Sequence, residues 1–408
     1  MGTTSYVGRQ PVFDAGLQLA AFELLFRARA DSTDAEPLPA GPQATAGVLV
    51  DSIFNIGLEQ LIEDKPAFVN VSRDYLVGAA PLPFGPDRFI LEILEDIALD
   101  AELLGALETL RAKGFRLALD DIERWHPDIV EVLPLIEFVK LDVLAIAEAE
   151  LPLLVQQLRA FPLTLIAEKV ETWDMLDRCK ALGFDLFQGY FLEKPKIVEG
   201  SKIPHNRMAL LQTLSKLQDP SCEFEDLQAV IGTDPGLSLK LLRLANSAMY
   251  GLRKKIESLQ QVVIFLGLDT IKQWTCLILL SQYSNKPRIL TSLALMRARL
   301  CQQMCAARGM TALSSQAFTV GLFSVLDALM DQPLAVVLDS VQLDEVLRGA
   351  LLEREGPLGE TLSAVLALEH GQWEIAQLML GPKADPEPVW LDALKWTHGL
   401  MSELGKAA

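Results

Sequence analysis

Short apolar runs recur through the first half of the chain, and each carries or ends on polar side chains. The runs are AAFELLF, AFVNV, FILEILE, LALDD, FVKLD, LIAEKVE and FDLFQGY. Their length and their aromatic and branched content predict strands. Residues 5–13 and 17–27 read as an antiparallel hairpin across Asp14-Ala15-Gly16, and further strands are expected near 66–71, 89–94, 115–120, 137–141, 163–168 and 184–187. A helix is predicted over 43–62, where Val48, Val50, Ile53, Ile56 and Leu61 recur, and others near 99–113, 145–160 and 172–182. Such alternation argues for parallel strands with crossover helices, hence an α/β barrel or open sheet. About 195 residues is short for a (β/α)8 barrel. The segment after Asn70, SRDYLVGAAPLPFGPDRF, holds three prolines and two glycines and reads as a loop replacing a crossover helix. A trimmed or distorted barrel is the expectation.

The pattern changes after Pro195. Residues 196–204, KIVEGSKIP, read as a linker. Beyond it every apolar run has helical spacing, with helices predicted over 205–218, 223–232, 236–247, 258–281, 289–308, 311–330, 342–352, 359–370, 372–380 and 388–405. The predicted fold is α/β plus all-α: a trimmed (β/α)8-like barrel over 1–197, then an all-helical bundle over 198–408.

Composition sharpens this. The chain has 408 residues, half of them hydrophobic, enough for two cores. The net charge of −18 is uneven: residues 1–200 hold 33 acids and 17 bases, residues 201–408 hold 21 and 19. An acidic first half argues against nucleic-acid binding, which needs a cationic face, and suits a cation site. The apolar runs are too short or too interrupted to span a bilayer. The opening MGTTSYVGRQPVFD reads directly into a strand rather than into a leader, so a cytoplasmic protein without a membrane partner is expected. The five cysteines show no metal-ligand or paired framework. Cys301 and Cys305, four apart in an apolar helical stretch, read as buried thiols.

In a barrel of parallel strands the carboxyl ends share one face, where active sites lie. Glu23, Asn70, Glu92, Asp120, Asp121, Lys140, Glu168, Glu171 and Gln188 fall at or near such ends. Carboxylates gathered with an amide and a lysine are what a divalent-metal phosphodiester site requires, because hard cations want oxygen donors. Gathered without a cation, those carboxylates would repel one another.

The same residues carry a resemblance. ELLFR at 23–27 is similar to the EALLR signature of the EAL family of cyclic di-GMP phosphodiesterases. FVNVS (68–72), LEILE (91–95), LALDD (117–121), VKLD (139–142), AEKVET (167–172) and FQGYFLEKP (187–195) follow in the family's order. The resemblance implies that Glu23, Asn70, Glu92 and Asp120 ligate one Mg2+ or Mn2+, and that Asp121 and Glu168 hold a second. It implies that Gln188 supports the metals and the attacking water, and that Lys140 orients or deprotonates that water. Glu171 and Glu95 would support the neighbouring loop, and Arg27 would contact a ligand phosphate. Three departures stand against a fully working site. The family's DDFGTG loop is Asp120-Asp121-Ile122-Glu123-Arg124-Trp125, the glycine of AEGVE is Lys169, and the alanine of EAL is Leu24. A cation at Lys169, between Glu168 and Glu171, is expected to neutralise them in place of the second metal.

In the second half, IPHNRMALLQTL (203–214), IGTDPGLSLKLLRLANSAMYG (231–251) and IESLQQVVIFLGLDTIKQW (256–274) resemble an HDOD domain, a helical relative of HD phosphohydrolases. An HD enzyme needs a His-Asp pair as metal ligands. None of the four histidines (His126, His205, His370, His398) precedes Asp, and residues 321–327 read GLFSVLD where an HD protein reads GLLHDIG. A non-catalytic interaction bundle is implied. Asp234-Pro235 reads as an N-cap and N1 proline, Asn246 and Ser247 as stabilising a helix end, and Arg253-Lys254-Lys255 as the main basic run.

Three functions follow. The first is a bacterial signalling adaptor, whose degenerate or slow EAL-like barrel binds cyclic di-GMP or a partner and whose HDOD bundle engages another protein. The second is an active phosphodiesterase producing pGpG. The third is a scaffold binding neither nucleotide nor metal. EAL-like barrels commonly pair, so a homodimer is also expected.

Overall fold

The computed structural model describes residues 6–27, 62–78, 82, 84–94, 97–126, 129–194, 205–219, 221–232, 235–247, 256–283, 287–341, 343–381 and 385–405. The chain forms two compact units, Met1–Leu192 and Glu193–Ala408. The predicted helix over 43–62 lies outside the described residues except for the buried, helical Ile62.

Eight strands close a barrel in the order β1 to β8: β1 Tyr6–Asp14, β2 Leu19–Arg27, β3 Ala67–Asn70, β4 Phe89–Ile93, β5 Arg116–Leu119, β6 Phe138–Asp142, β7 Thr164–Glu168 and β8 Leu186–Gln188. Strands β2 to β8 run parallel to their neighbours. β1 is antiparallel to both β2 and β8. The reversal follows from the hairpin at 14–18, where the Asp14 carboxylate accepts from the Gln18 N–H at 2.9 Å.

A strand places alternate side chains on one face. The barrel interior shows this as a layer: Val12, Ala21, Phe68, Ile90, Ala118, Phe138 and Ile166 cluster, with Leu186 against them. That is one residue from each strand, and Phe68 and Phe138 meet edge to face at 5.2 Å. The layer floors the barrel's mouth.

The trimming is confirmed after β3. The described residues there hold only α1, Arg73–Leu76, a single turn. It is tied to the start of α2, Ala101–Ala112, through Arg73, which pairs with Asp100 at 2.7 Å and Glu102 at 2.9 Å. After β5 comes α3, Ile129–Val132. After β6, helix begins later than its periodicity suggested, with α4 at Leu151–Leu158. Asp142 is the reason: its Oδ1 accepts from the N–H groups of Leu144 (2.8 Å) and Ala145 (3.0 Å), holding that segment in a turn. α5, Trp173–Leu182, is capped by Thr172, whose hydroxyl accepts from Met175 N–H.

The second unit holds helices and no strand among its described residues. Its helices are α6 His205–Gln218, α7 Phe224–Gly232, α8 Pro235–Ala245, α9 Leu259–Leu266, α10 Leu268–Tyr283, α11 Arg288–Ala307, α12 Ser314–Phe323, α13 Leu326–Met330, α14 Leu334–Asp339, α15 Glu345–Leu352, α16 Gly356–Glu369, α17 Trp373–Leu380 and α18 Pro386–Gly405. The helix predicted over 258–281 is broken at Gly267, whose φ of +84° is open to glycine, so the helical path bends by 119° from α9 to α10. The one predicted over 311–330 is a 3-10 turn, α12 and α13, and α14 was too short to leave a periodic signal.

α11 is the spine, packed on α12, α16 and α18. It buries Arg297, whose guanidinium forks to Glu369 of α16 at 2.6–3.1 Å. Asn246 closes the end of α8: its amide donates to Leu242 and Ile256 carbonyls and its Oδ1 accepts from Ile256 N–H. Asp234 and Arg253-Lys254-Lys255 lie outside the described residues. All five cysteines are buried and none is in a disulfide. Among the described residues no single helix is long and apolar enough to cross a membrane.

Candidate metal centre

The site is the next layer up from the barrel's floor. Adding two residues to each floor position on the parallel strands gives Glu23, Asn70, Glu92, Asp120, Lys140, Glu168 and Gln188. On the reversed β1 the count runs backwards, from Val12 to Gln10. All seven parallel-strand residues are buried, with at most 7 % exposure. Strand periodicity therefore aims eight polar groups into one mouth.

Lys140 sits at its centre. Its Nζ lies 2.7 Å from Glu168, 2.8 Å from Glu92, 3.0 Å from Asp120 and 3.2 Å from Glu23. Gln188 donates to Glu23 at 2.5 Å and to Gln10 at 2.8 Å. One ammonium faces four carboxylates, and the titration behaviour reflects the imbalance. Burial pushes Glu168 up to about 8 and Glu92 well above the usual carboxylate range. Burial would push Lys140 down, but Asp120, Glu168, Glu23 and Glu92 together outweigh it and hold its ammonium above the ordinary value.

The donors fit divalent cations. Glu23, Glu92 and Asp120 each offer an oxygen within 4.8 Å of the others, and so do Asp120, Asp121 and Glu168. Asn70 Oδ1, Glu92 Oε2 and Gln188 Oε1 are buried acceptors without a hydrogen bond. Such atoms are costly unless something positive meets them. An all-oxygen set carrying surplus negative charge matches Mg2+ or Mn2+ in kind. A bound cation of that sort polarises phosphoryl oxygens and acidifies a coordinated water.

The remaining expected residues are placed differently. Asp121 lies beyond β5 with a φ of +49°, half-buried, its carboxyl raised by burial and by Asp120. Glu171 is exposed on the loop after β7 and belongs to neither oxygen cluster. Arg27 ends β2 opposite Tyr6, with its side chain outside the described residues, as is Glu95. Lys169 corrects one expectation. It does not bridge Glu168 and Glu171. Its ammonium pairs with Asp142 and stands 3.9 Å from Asp121.

Gln10 and Asp142 escaped the sequence reading. Gln10 could have been found from the reversed count on β1, and Asp142 from its place two residues past Lys140. Gly189 follows Gln188 with a φ of +146°, and a Cβ there would stand 2.1 Å from the Val170 carbonyl oxygen and 2.5 Å from its nitrogen. Glycine lets the chain leave β8 while Val170 N–H still bonds Gln188 O at 3.0 Å. Gly189→Ala is expected to cost about 3 kcal/mol, read as earlier exchange of β8 amides; unchanged protection would contradict the clash.

A cavity of about 620 Å3 opens beside the site, lined by Leu94, Ile97, Ile122, Arg124, His126 and Asp121 among others. In the helical unit, the stretch 321–327 holds no metal cluster among the described residues. Ser324 instead accepts from Arg297 at 3.1 Å and donates to Gly321 O. Burial raises Asp327 to about 6.

Comparison with known proteins agrees with this division. A model of the EAL domain matches residues 54–195 and a model of the HDOD domain matches residues 203–354. The chain is 31% identical over 407 residues to the Vibrio cholerae protein named cyclic di-GMP phosphodiesterase CdgJ, covering 97% of this chain and 93% of that one. The chain belongs to the EAL–HDOD family. Another relative, YuxH of Bacillus subtilis, is 30% identical over 407 residues, covering 97% of this chain and 98% of its own. Solved structures similar to part of this chain include the PaMucR phosphodiesterase in complex with c-di-GMP (24% identity, 50% of this chain and 99% of that one, TM-score 0.39). Another is BlrP1 of Klebsiella pneumoniae with calcium and c-di-GMP (19% identity, 46% of this chain and 54% of that one, TM-score 0.36).

Proposed function

We propose that this EAL–HDOD chain is a bacterial cyclic di-GMP signalling protein acting in the cytoplasm. Its barrel binds the dinucleotide over Mg2+ or Mn2+, with hydrolysis slow or absent, and its helical unit passes that state to a protein partner. The observation that carries the reading is the convergence of Glu23, Asn70, Glu92, Asp120, Lys140, Glu168 and Gln188 in one buried mouth. Phosphodiesters need cations held by oxygen donors, and these residues supply them. The name of the Vibrio cholerae relative supports the choice of dinucleotide. Slow turnover is favoured by the site's periphery: the loop 120–125 lacks glycine, and Asp121 and Lys169 hold positive φ without it.

A second reading, an active phosphodiesterase releasing pGpG, is favoured by the retention of Lys140 beside all four carboxylates. Calorimetry with cyclic di-GMP, with and without Mn2+, followed by product analysis separates the two. Binding that needs Mn2+, is lost in Glu23→Ala and yields little pGpG is the expected result. Rapid metal-dependent turnover would establish the enzyme, and no binding under either condition would leave a scaffold.

A further inference from the structure

Two oxygen clusters share the barrel mouth, but they do not face the same positive charge. Glu23, Glu92 and Asp120 meet one ammonium, Lys140, with the Asn70 Oδ1 acceptor left unpartnered. Asp120, Asp121 and Glu168 meet two. Lys140 touches Asp120 and Glu168, and Lys169 stands 3.9 Å from Asp121. The Lys169 side chain is exposed, yet it is anchored. Its ammonium is ion-paired to Asp142, which is itself buried and held by two backbone N–H groups. It also keeps a left-handed backbone, φ +57°, that glycine adopts at lower cost. A residue held in such a conformation marks a place the surroundings have fixed.

We infer that Lys169 is the built-in counter-ion of the second cluster, so that this barrel loads one divalent cation, on Glu23, Asn70, Glu92 and Asp120, and excludes another from Asp121 and Glu168. The inference rests on the metal-binding reading above. A dication entering the second cluster would meet like charge from Lys140 on one side and Lys169 on the other, while Asp120 is already committed to the first. The first cluster has no such second cation among the described residues. Lys169 would then be a specificity-determining residue for metal number, and it explains why an oxygen set sufficient for two cations would serve as a one-cation binding site.

The test is Mn2+ titration of the full chain by calorimetry, with low-temperature electron paramagnetic resonance of the loaded protein. Wild type is expected to take up one Mn2+ per chain and to show an isolated six-line spectrum. Lys169→Gly and Lys169→Gln are expected to take up two, with exchange coupling between the ions, the second binding at least tenfold more tightly than any residual second-site binding in wild type. The glutamine variant removes the charge without relieving the backbone, so it separates the two effects. Lys169→Arg should stay at one. Two coupled ions in wild type, or one ion in both Lys169→Gly and Lys169→Gln, would overturn the inference while leaving the metal site standing. No Mn2+ in any variant would overturn the metal-binding reading itself, and this inference with it.

Discussion

Lys140→Met is expected to destabilise the metal-free barrel by about 3–5 kcal/mol, because removing one member of a buried ion cluster leaves the others uncompensated. Four carboxylates contact this one ammonium at 2.7–3.2 Å, and Lys140 is 1 % exposed. Methionine keeps an unbranched apolar stem while removing the ammonium, including its place 6.0 Å from the Phe68 ring centroid, so the loss reports charge. The loss has a pH signature. Glu168 already titrates near 8 with Lys140 present. A carboxyl raised above its unfolded value adds stability that is complete below about 4.5 and fades as pH climbs through the raised value. Without Lys140 the fade deepens, so the variant should be weaker at pH 8.5 than at pH 6. Millimolar Mn2+ should restore most of the deficit by supplying a cation to the same oxygens. Hydrogen exchange of β4 and β7 peptides, in EDTA and in Mn2+, measures all three effects. Equal protection in wild type and variant would show that Lys140 is not the cluster's counter-charge.

The second large effect belongs to the helical unit. Glu369→Ala should cost about 3–5 kcal/mol, since it removes the carboxylate that forks to the Arg297 guanidinium at 3 % exposure inside the spine of the bundle. Arg297 keeps its bond to Ser324, which is neutral and cannot replace a forked carboxylate. The double replacement Arg297→Met with Glu369→Leu removes both charges and should recover to within about 2 kcal/mol of wild type. Thermal unfolding followed by exchange of α11 and α16 peptides reads the pair of results. A loss under about 1 kcal/mol for Glu369→Ala would mean that the pair contributes no more than a surface bridge.

The barrel was legible because strand alternation and polar endings coincide. Once AFVNV, FILEILE, LALDD and FVKLD are read as strands, the side chains two positions past each floor residue can only share one face. The helical unit was legible for the same reason at a different period, and the absence of a His-Asp pair was visible by inspection. What sequence could not give was pairing. Lys169 was expected between Glu168 and Glu171, its neighbours in the chain, yet a left-handed turn after β7 sends it across to Asp142 and Asp121 on neighbouring strand ends. The Arg297–Glu369 fork joins residues 72 positions apart, and each alone reads as an ordinary helix-surface charge. Gln10 was hidden by the reversal of β1, which inverts the direction of the count. The break at Gly267 lay inside an unbroken apolar period, where only backbone geometry reveals it.

β8 is three residues long and is fastened by three residue pairs to β1 and two to β7. It is also the last stave of the cylinder before the second unit begins at Glu193, with only Gly189 to Leu192 intervening after Gln188. Tension arriving backward along the polypeptide therefore reaches the Gln188 carboxamide before any other group in the mouth. A pull of that kind would load the bond from Gln188 to Glu23 first.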